Sequence, residues 1–494
     1  MRRFALLITI LAAALGAQAG REFTVLVYNV ENLFDVDGVA LFDQYEQGPE
    51  GDYGFGPLLN KLEGIRRSLA AFNEGAGPEV ILFQELELDR TPFDTPPADA
   101  FLERTRGRSL ETILREDAAA ANLPSDLLLL KYLDDHGMSG YRIAQPDPFR
   151  MESHPPHKNV VFSRFPVKYV RQRPMLHARD LLVAGLDVDG WELILLNNHW
   201  KSGASSAATE PIRVQNALVV RAELEAILFD NPAADVIIAG DFNSNYNQKA
   251  VFPEFGETGV NDVLRAEGRE IRMTGPEAGG LYNLWFELPP GRRGSEVWRG
   301  YWGTLMQMVV TPGLYDRKGI QYVDNSFDRL ELPGENVETR WGRPVSWSNF
   351  GGGAGFSDHL PVFARFRLIP GPGSEGWMEL KNPADESLPA HRPVVHYARL
   401  DRRAVPDVAI LAGMDAESRA GMLKELFRVD TVITQTNPPR IRAGDLEFQL
   451  YSPEVEVRSR LGQLQPGDRI NAFADLDDWR GALQLVIRDP SWMF

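Results

Sequence analysis

Five short apolar runs, each bordered by a carboxylate, an Asn or a His, constrain this chain more than any other feature. The runs are Phe23–Tyr28, Val80–Phe83, Trp191–Leu196, Val236–Ala239 and Val362–Leu368. The first four are almost continuously apolar, which suits strands buried on both faces. Asn29 and Glu31 follow the first run, and Gln84 and Glu85 the second. Asn197, Asn198 and His199 follow the third, Asp241 and Asn243 the fourth, and Asp358 and His359 precede the fifth. Polar groups at the ends of adjacent strands can converge on one rim, held by supports buried in the core. Each has an ordinary reading by itself: Asn29 as a turn cap, Asp241 as a turn residue, Glu85 as a solvated strand end, either His as a hydrogen-bonded core residue. The weight lies in the set. Several hard oxygen ligands and two imidazoles suit metal-assisted attack of water on a phosphoryl centre.

The segments between the runs predict an α/β fold. Leu58–Phe72 and Pro211–Phe229 have helical apolar spacing, and a further helix is expected near Ser125–His136. Asp189-Gly190 joins Leu181–Val188 to Trp191–Leu196 as a hairpin. Helices mixed with hairpins imply sheets packed together under flanking helices. Residues 91–150 read as an insertion, and 268–300 and 325–357 as long Gly-, Trp- and Arg-rich loops. Residues 371–391 have the composition of a linker, which separates a domain over 20–370 from another over 392–494.

With 494 residues, 44% of them hydrophobic, the chain can bury a real core in each domain. It has no Cys, so thiolate metal sites and Cys nucleophiles are excluded, and any metal must be a hard cation on carboxylate, Asn or His ligands. The net charge of −17 argues against a broad basic nucleic-acid surface but leaves room for a local cationic or metal-bearing cleft. Residues 1–19 combine Arg2 and Arg3, an apolar stretch and Ala17-Gln18-Ala19, the pattern of a cleaved export signal. The apolar stretch falls short of the roughly 20 residues a spanning helix needs. An exported protein, periplasmic or extracellular, with no stable membrane anchor is therefore expected.

In order and rough spacing, YNVEN (28–32), FQE (83–85), NVVFSRFPV (159–167), NNHWKSG (197–203), GDFNSN (240–245) and SDHLPV (357–362) resemble the endonuclease/exonuclease/phosphatase superfamily. NNHWKSG is similar to the version found in exported bacterial nucleases of that superfamily. The resemblance implies a four-layer α/β/β/α sandwich of two mixed sheets. It also implies that Asn29, Glu31, Glu85 and Asp358 surround a divalent metal. Asp241 and Asn243 would orient water and a phosphate oxygen, and His199 and His359 would flank the scissile phosphate. Mg²⁺ is the expected ion, with Mn²⁺ or Ca²⁺ as alternatives. Arg164 and Lys201 are near these motifs in sequence and are candidates for a neighbouring phosphate. One departure stands out: the family's usual Asp on a late strand, which orients the last His, is replaced here by Met306, with Gln307 next to it. Asp324 is a candidate substitute.

Residues 392–494 resemble a small all-β, OB-like barrel, with a helix-like stretch over 415–427 and a hairpin at Asp477-Asp478-Trp479-Arg480-Gly481. Residues 371–494 hold 15 basic and 19 acidic residues, a poor balance for an electrostatic strand-binding groove, although Tyr397, Phe448, Tyr451 and Trp479 could stack bases. Three functional readings follow. The first is an exported metal-dependent endonuclease with nucleic acid as substrate. The second is a phospholipid or small phosphate-ester hydrolase with aromatic loops around Trp298, Tyr301, Trp302, Trp341 and Trp347. The third is a non-catalytic phosphate- or nucleic-acid-binding member, motivated by Met306.

Overall fold

The structure is a computed structural model that describes residues 20–42, 45, 47–48, 51–89, 96–147, 155–298, 301–339, 342–348, 352–369, 373–384, 405–423, 425–452, 454–479 and 481–494. The expected export signal, Tyr397, Trp341 and Arg480 lie outside the described residues, as does the Tyr301 side chain.

All five apolar runs are strands. In chain order the first domain contains β1 (Glu22–Leu33), β2 (Val80–Glu87), β3 (Arg142–Ala144), β4 (His157–Ser163), β5 (Val167–Arg173), β6 (Leu181–Val188), β7 (Trp191–His199) and β8 (Asp235–Asp241). These are followed by β9 (Ala266–Glu267), β10 (Leu281–Asn283), β11 (Glu296–Trp298), β12 (Tyr301–Gly303), β13 (Met306–Val310), β14 (Ile320–Tyr322), β15 (Asp328–Arg329) and β16 (Val362–Leu368). One sheet runs β14-β16-β1-β2-β4-β3, with β15 paired to β16. The other runs β9-β10-β13-β8-β7-β6-β5. Both are mixed: β1 and β2 are parallel, as are β7 and β8, while β16 is antiparallel to β1.

Alternation along the strands builds the layers. Val25, Val27, Val80, Leu82, Leu193, Leu195, Ile237 and Ala239 meet between the sheets. On the other face of the first sheet, Leu26, Tyr28, Ile81 and Phe83 pack against helices Phe55–Leu69 and Ser125–Asp135. On the outer face of the second sheet, Ile194, Leu196, Val236 and Ile238 pack against helix Glu210–Asp230. The result is the α/β/β/α sandwich, and it explains why these strands are apolar on both faces. Asp189 and Gly190 both have positive φ and close the β6–β7 hairpin, as their sequence predicts.

Beyond the sandwich, residues 373–384 lie against it: Met378 joins the inter-sheet core, and its N–H donates to the Tyr315 carbonyl at 2.9 Å. The C-terminal domain is a closed barrel of β17 (Leu426–Thr436), β18 (Pro439–Ala443), β19 (Leu446–Tyr451), β20 (Arg469–Trp479) and β21 (Ala482–Val486), ordered β17-β18-β19-β21-β20. The β19–β21 pair is parallel, and helix Val455–Leu461 precedes β20, an OB-like arrangement. The helix expected over 415–427 is shorter, Ala416–Ala420, because Leu426 and Phe427 are drawn into β17 and the barrel core. The barrel is tied to the sandwich by Arg343, whose Nη1 donates to buried Asp475 Oδ2 at 3.0 Å. Val297 and Trp302 of the β11–β12 hairpin pack on the barrel core. Among the described residues, no helix is long and apolar enough to cross a membrane.

Candidate active site

The motifs converge for a topological reason. β1 and β2 run parallel, so Asn29 and Glu85 leave the first sheet at the same edge. β7 and β8 run parallel in the second sheet and deliver His199 and Asp241 side by side, paired in register. β16 is antiparallel to β1, with Val27 opposite Val362, so the residues that precede β16 arrive at the same edge. At this edge a cavity of about 420 Å³ is lined by Glu85, Arg179, His199, Asp241, Asn243 and His359 among others.

Asn29 is fully buried and joins the two sheets: its Nδ2 donates to Glu85 Oε1 at 3.1 Å and to Asp241 Oδ2 at 3.0 Å. His199 Nε2 lies 3.5 Å from Asp241 Oδ2 and 3.8 Å from Glu85 Oε1, and His359 Nε2 lies 3.6 Å from Asp241 Oδ2. The Asn243 N–H donates to Asp241 Oδ1 at 2.9 Å and fixes that carboxylate. Glu31, Glu85 and Asn243 all have positive φ, at 52°, 65° and 47°. Non-glycine residues rarely adopt this region, and strain of this kind concentrates where side chains must be aimed at a ligand. Gln84, Asn197 and Asn198 are support: Gln84 Nε2 donates to Asn197 Oδ1 at 2.6 Å, and Asn198 Oδ1 accepts from Trp200 Nε1 at 3.0 Å.

The two imidazoles are in opposite electrostatic settings. Burial, reinforced by Arg179, holds His199 well below its ordinary pKa, so it is neutral. Burial opposes charge on His359 too, but Asp358, Asp241 and Glu296 outweigh it and hold the ring protonated. The orienting contact that Met306 cannot give His359 is supplied by Asp358, whose Oδ1 lies 2.7 Å from His359 Nδ1. Met306 is buried in the inter-sheet core opposite Asp241, and Gln307 accepts from Asn283 Nδ2 at 2.6 Å. Asp324 is not the substitute. It groups instead with Glu270 and Glu287.

The structure separates the other candidates. Glu31 Oε2 accepts the Trp347 N–H at 2.5 Å and the Asp358 N–H at 2.8 Å, which makes it the anchor of the 345–358 loop. Arg164 is not in the cavity. It follows β4 at the opposite end of the sheet, where Ser163 pairs with Val80, and its Nη1 donates to the Gly77 carbonyl at 2.9 Å while the guanidinium stacks on Tyr141. Lys201 lines an adjoining pocket that shares Arg179 with the cavity. Three residues of the site were not singled out from the sequence. Arg179 precedes β6 and faces Glu85 and His199, and its Nη2 lies 3.0 Å from His157 Nδ1. Glu296 is buried beside His359 on β11 and pushed up to about 7, by burial above all. Lys61 is fully buried beneath Glu31, with its Nζ donating to the Phe356 carbonyl at 2.8 Å and lying 4.8 Å from the Trp347 ring. The Arg in HARD, at the start of an apolar run, was a signal that could have been read.

Donor atoms of Glu85, His199 and Asp241 lie within 4.8 Å of one another. Two carboxylates with the His199 Nε2 beside them fit a hard divalent cation. A groove of about 300 Å³ adjoins the cavity toward the barrel. It shares Val297, Trp298 and Asp358 with the cavity and carries Tyr451 and Trp479 on its far side.

The model of a family described as Endonuclease/Exonuclease/phosphatase family matches residues 153–367. A comparison with curated proteins returns no match. Among solved structures, truncated Caenorhabditis elegans TDP2 is similar at 14% identity, covering 70% of this chain and 98% of that one with a TM-score of 0.37. A Bacteroides thetaiotaomicron mannosyl-6-phosphatase is similar at 12% identity, covering 70% and 99%, with a TM-score of 0.38. ANGEL2, a 2',3'-cyclic phosphatase in complex with adenosine-2',3'-vanadate, is similar at 12% identity, covering 71% and 96%, with a TM-score of 0.39. Similarities this distant carry no weight for activity. The family match spans His199, Asp241 and His359, so the second half of the sandwich, with three of the residues at the cavity, is similar to the endonuclease/exonuclease/phosphatase family.

Proposed function

We propose that this chain is an exported, divalent-cation-dependent phosphodiesterase that acts as an endonuclease on DNA or RNA. The observation that carries the reading is the meeting of Glu85, His199, Asp241, His359 and Arg179 around one cavity. Glu85, Asp241 and His199 would hold the cation, with Mg²⁺ or Mn²⁺ fitting these ligands. When bound, the ion supplies charge neutralisation to the phosphate and acidity to a coordinated water. The chain's own residues do the rest. Asp241, fixed by Asn29 and the Asn243 N–H, would orient the attacking water, whose proton passes to solvent. Protonated His359 donates to a phosphate oxygen, and Arg179 stabilises the growing negative charge.

The groove that runs on from the cavity past Trp298 to Trp479 suits a chain-like substrate with stackable bases, which supports nucleic acid. Of the aromatics that the lipid reading needs exposed, Trp347 is buried over Lys61 and Trp302 packs on the barrel, and exposed Trp298 lies at the groove. The non-catalytic reading rested on an unoriented His359, and Asp358 removes that premise.

The test is cleavage of duplex DNA, single-stranded DNA, RNA, sphingomyelin and a bis-aryl phosphate by the mature protein, with Mg²⁺ or Mn²⁺ and with chelator. Nucleic-acid cleavage that is abolished by chelator, Glu85→Ala and His359→Ala is expected. Turnover of lipid alone, or cleavage indifferent to both substitutions, rejects the proposal.

A further inference from the structure

A second cluster of carboxylates lies at another place in the sandwich. Glu270, Glu287 and Asp324 each present an oxygen within 4.8 Å of the others. They come from three separate segments. Glu270 begins the turn Glu270–Met273, Glu287 ends the turn Leu284–Glu287 just after β10, and Asp324 follows β14. β10 is near one edge of the second sheet, and β14 is the edge strand of the first. The cluster therefore sits where the edges of the two sheets meet.

Some of its oxygens are satisfied by neutral donors. Glu270 Oε1 accepts from the Tyr315 hydroxyl at 3.1 Å, and Glu270 Oε2 accepts the Ala384 N–H at 3.1 Å. Glu287 Oε2 accepts from the Tyr322 hydroxyl at 2.5 Å, and Asp324 Oδ2 accepts the Lys381 N–H at 3.2 Å. The remaining groups are left over. Glu287 Oε1 and Asp324 Oδ1 are buried atoms with no hydrogen-bond partner. Tyr282 is fully buried, and its hydroxyl also has no partner. Its ring stands edge-on to Tyr315, with centroids 6.3 Å apart, the residue whose hydroxyl holds Glu270. Among the described residues, none of the three carboxylates has an ion pair with Lys, Arg or His. Three carboxylates gathered together, one buried and two half-buried, with buried unpaired oxygens are costly unless a cation offsets them.

We propose that Glu270, Glu287, Asp324 and the Tyr282 hydroxyl form a structural Ca²⁺ site, separate from the catalytic cavity, that clamps the two sheets together. The donor set consists entirely of hard oxygens, and it is irregular, which suits the flexible coordination of Ca²⁺ better than the octahedron that Mg²⁺ demands. The ion neutralises the cluster and takes up the orphaned Glu287, Asp324 and Tyr282 oxygens. Through Ala384 and Lys381 it also fixes residues 373–384, the segment that leaves the sandwich toward the barrel.

The experiment uses the full mature chain, stripped with chelator and titrated with Ca²⁺ in a calorimeter. Parallel titrations use Glu85→Gln, Asp324→Asn, Glu287→Gln and Tyr282→Phe. In Glu85→Gln, which weakens the catalytic ion site, a Ca²⁺ binding event persists and raises Tm. In Asp324→Asn and Glu287→Gln that event is lost while nuclease turnover with Mg²⁺ is retained. Tyr282→Phe keeps the event with affinity lowered roughly 10-fold. If the carboxylate variants fail to fold, Tb³⁺ replaces Ca²⁺ in the Glu85→Gln protein, and emission sensitised by Tyr282, Tyr315 and Tyr322 reads the site directly. The proposal is overturned if Asp324→Asn binds as many Ca²⁺ ions as the parent with the same rise in Tm. It is equally overturned if Tb³⁺ emission in the Glu85→Gln protein is absent.

Discussion

His359 Nδ1 lies 2.7 Å from Oδ1 of Asp358, the residue immediately before it in the chain. The carboxylate that orients the imidazole and favours its charge is thus contributed locally and not by a distant strand. Asp358→Asn is expected to lower kcat by about 10- to 100-fold with a smaller change in KM, measured on a nucleic-acid substrate at saturating Mg²⁺. A fall confined to KM would contradict the assignment.

Restoring the family's carboxylate should not help. Met306 is fully buried between the sheets, and its N–H donates to Ser295 Oγ at 3.1 Å. Met306→Asp places a charge in that core without a partner. We expect a loss of roughly 3 kcal/mol or more in urea unfolding, with no gain in turnover.

Arg179 and Arg164 offer a paired comparison. Arg179 borders the cavity beside Glu85, whereas Arg164 is spent on loop carbonyls at the other end of the sheet. Arg179→Ala should cut kcat/KM by about 100-fold, equivalent to losing one charge-assisted contact in the transition state. Arg164→Ala should leave kcat/KM within about 2-fold and only lower Tm, a result that thermal melts and steady-state assays on the same preparations will show.

The tie between the barrel and the sandwich should weaken in acid. Asp475 is fully buried; burial opposes its charge, but Arg343 and Arg488 outweigh that and hold its carboxyl below the usual range. A depressed pKa contributes stability that is present above the unfolded value, about 3.9 for Asp, and is lost as pH falls through the folded value. Urea midpoints measured between pH 7 and pH 3 should therefore decline, and Asp475→Asn should flatten that decline. The substitution itself should cost about 3 kcal/mol at pH 7, because it leaves Arg343 short of a buried partner.

Gly240 precedes Asp241 at φ +135°, where a Cβ would come 2.0 Å from the Asn198 carbonyl oxygen. Gly240→Ala must push β8 away from β7 beside His199 and Asp241. It should destabilise the domain by roughly 3 kcal/mol or more and abolish turnover, as monitored by circular dichroism and cleavage.

Much of the rim was legible because each motif is written at the end of an apolar run. Strand periodicity and parallel pairing carry Asn29, Glu85, His199 and Asp241 to one edge without reference to the loops. The barrel was legible as a closed set of alternating strands, though the Leu426–Phe427 end of its expected helix was captured by strand pairing, a tertiary effect that overrides local propensity.

By itself, the sequence determined the α/β and all-β plan, the five strands and the polar residues that end them, because these follow from spacing along the chain. Only the tertiary structure decided that Arg179 and Glu296 join the site, that Arg164 does not, and that Asp358 orients His359. Those outcomes depend on which strand end a side chain leaves and what it meets across space, and charges far apart in sequence cannot be paired until the sheets are stacked.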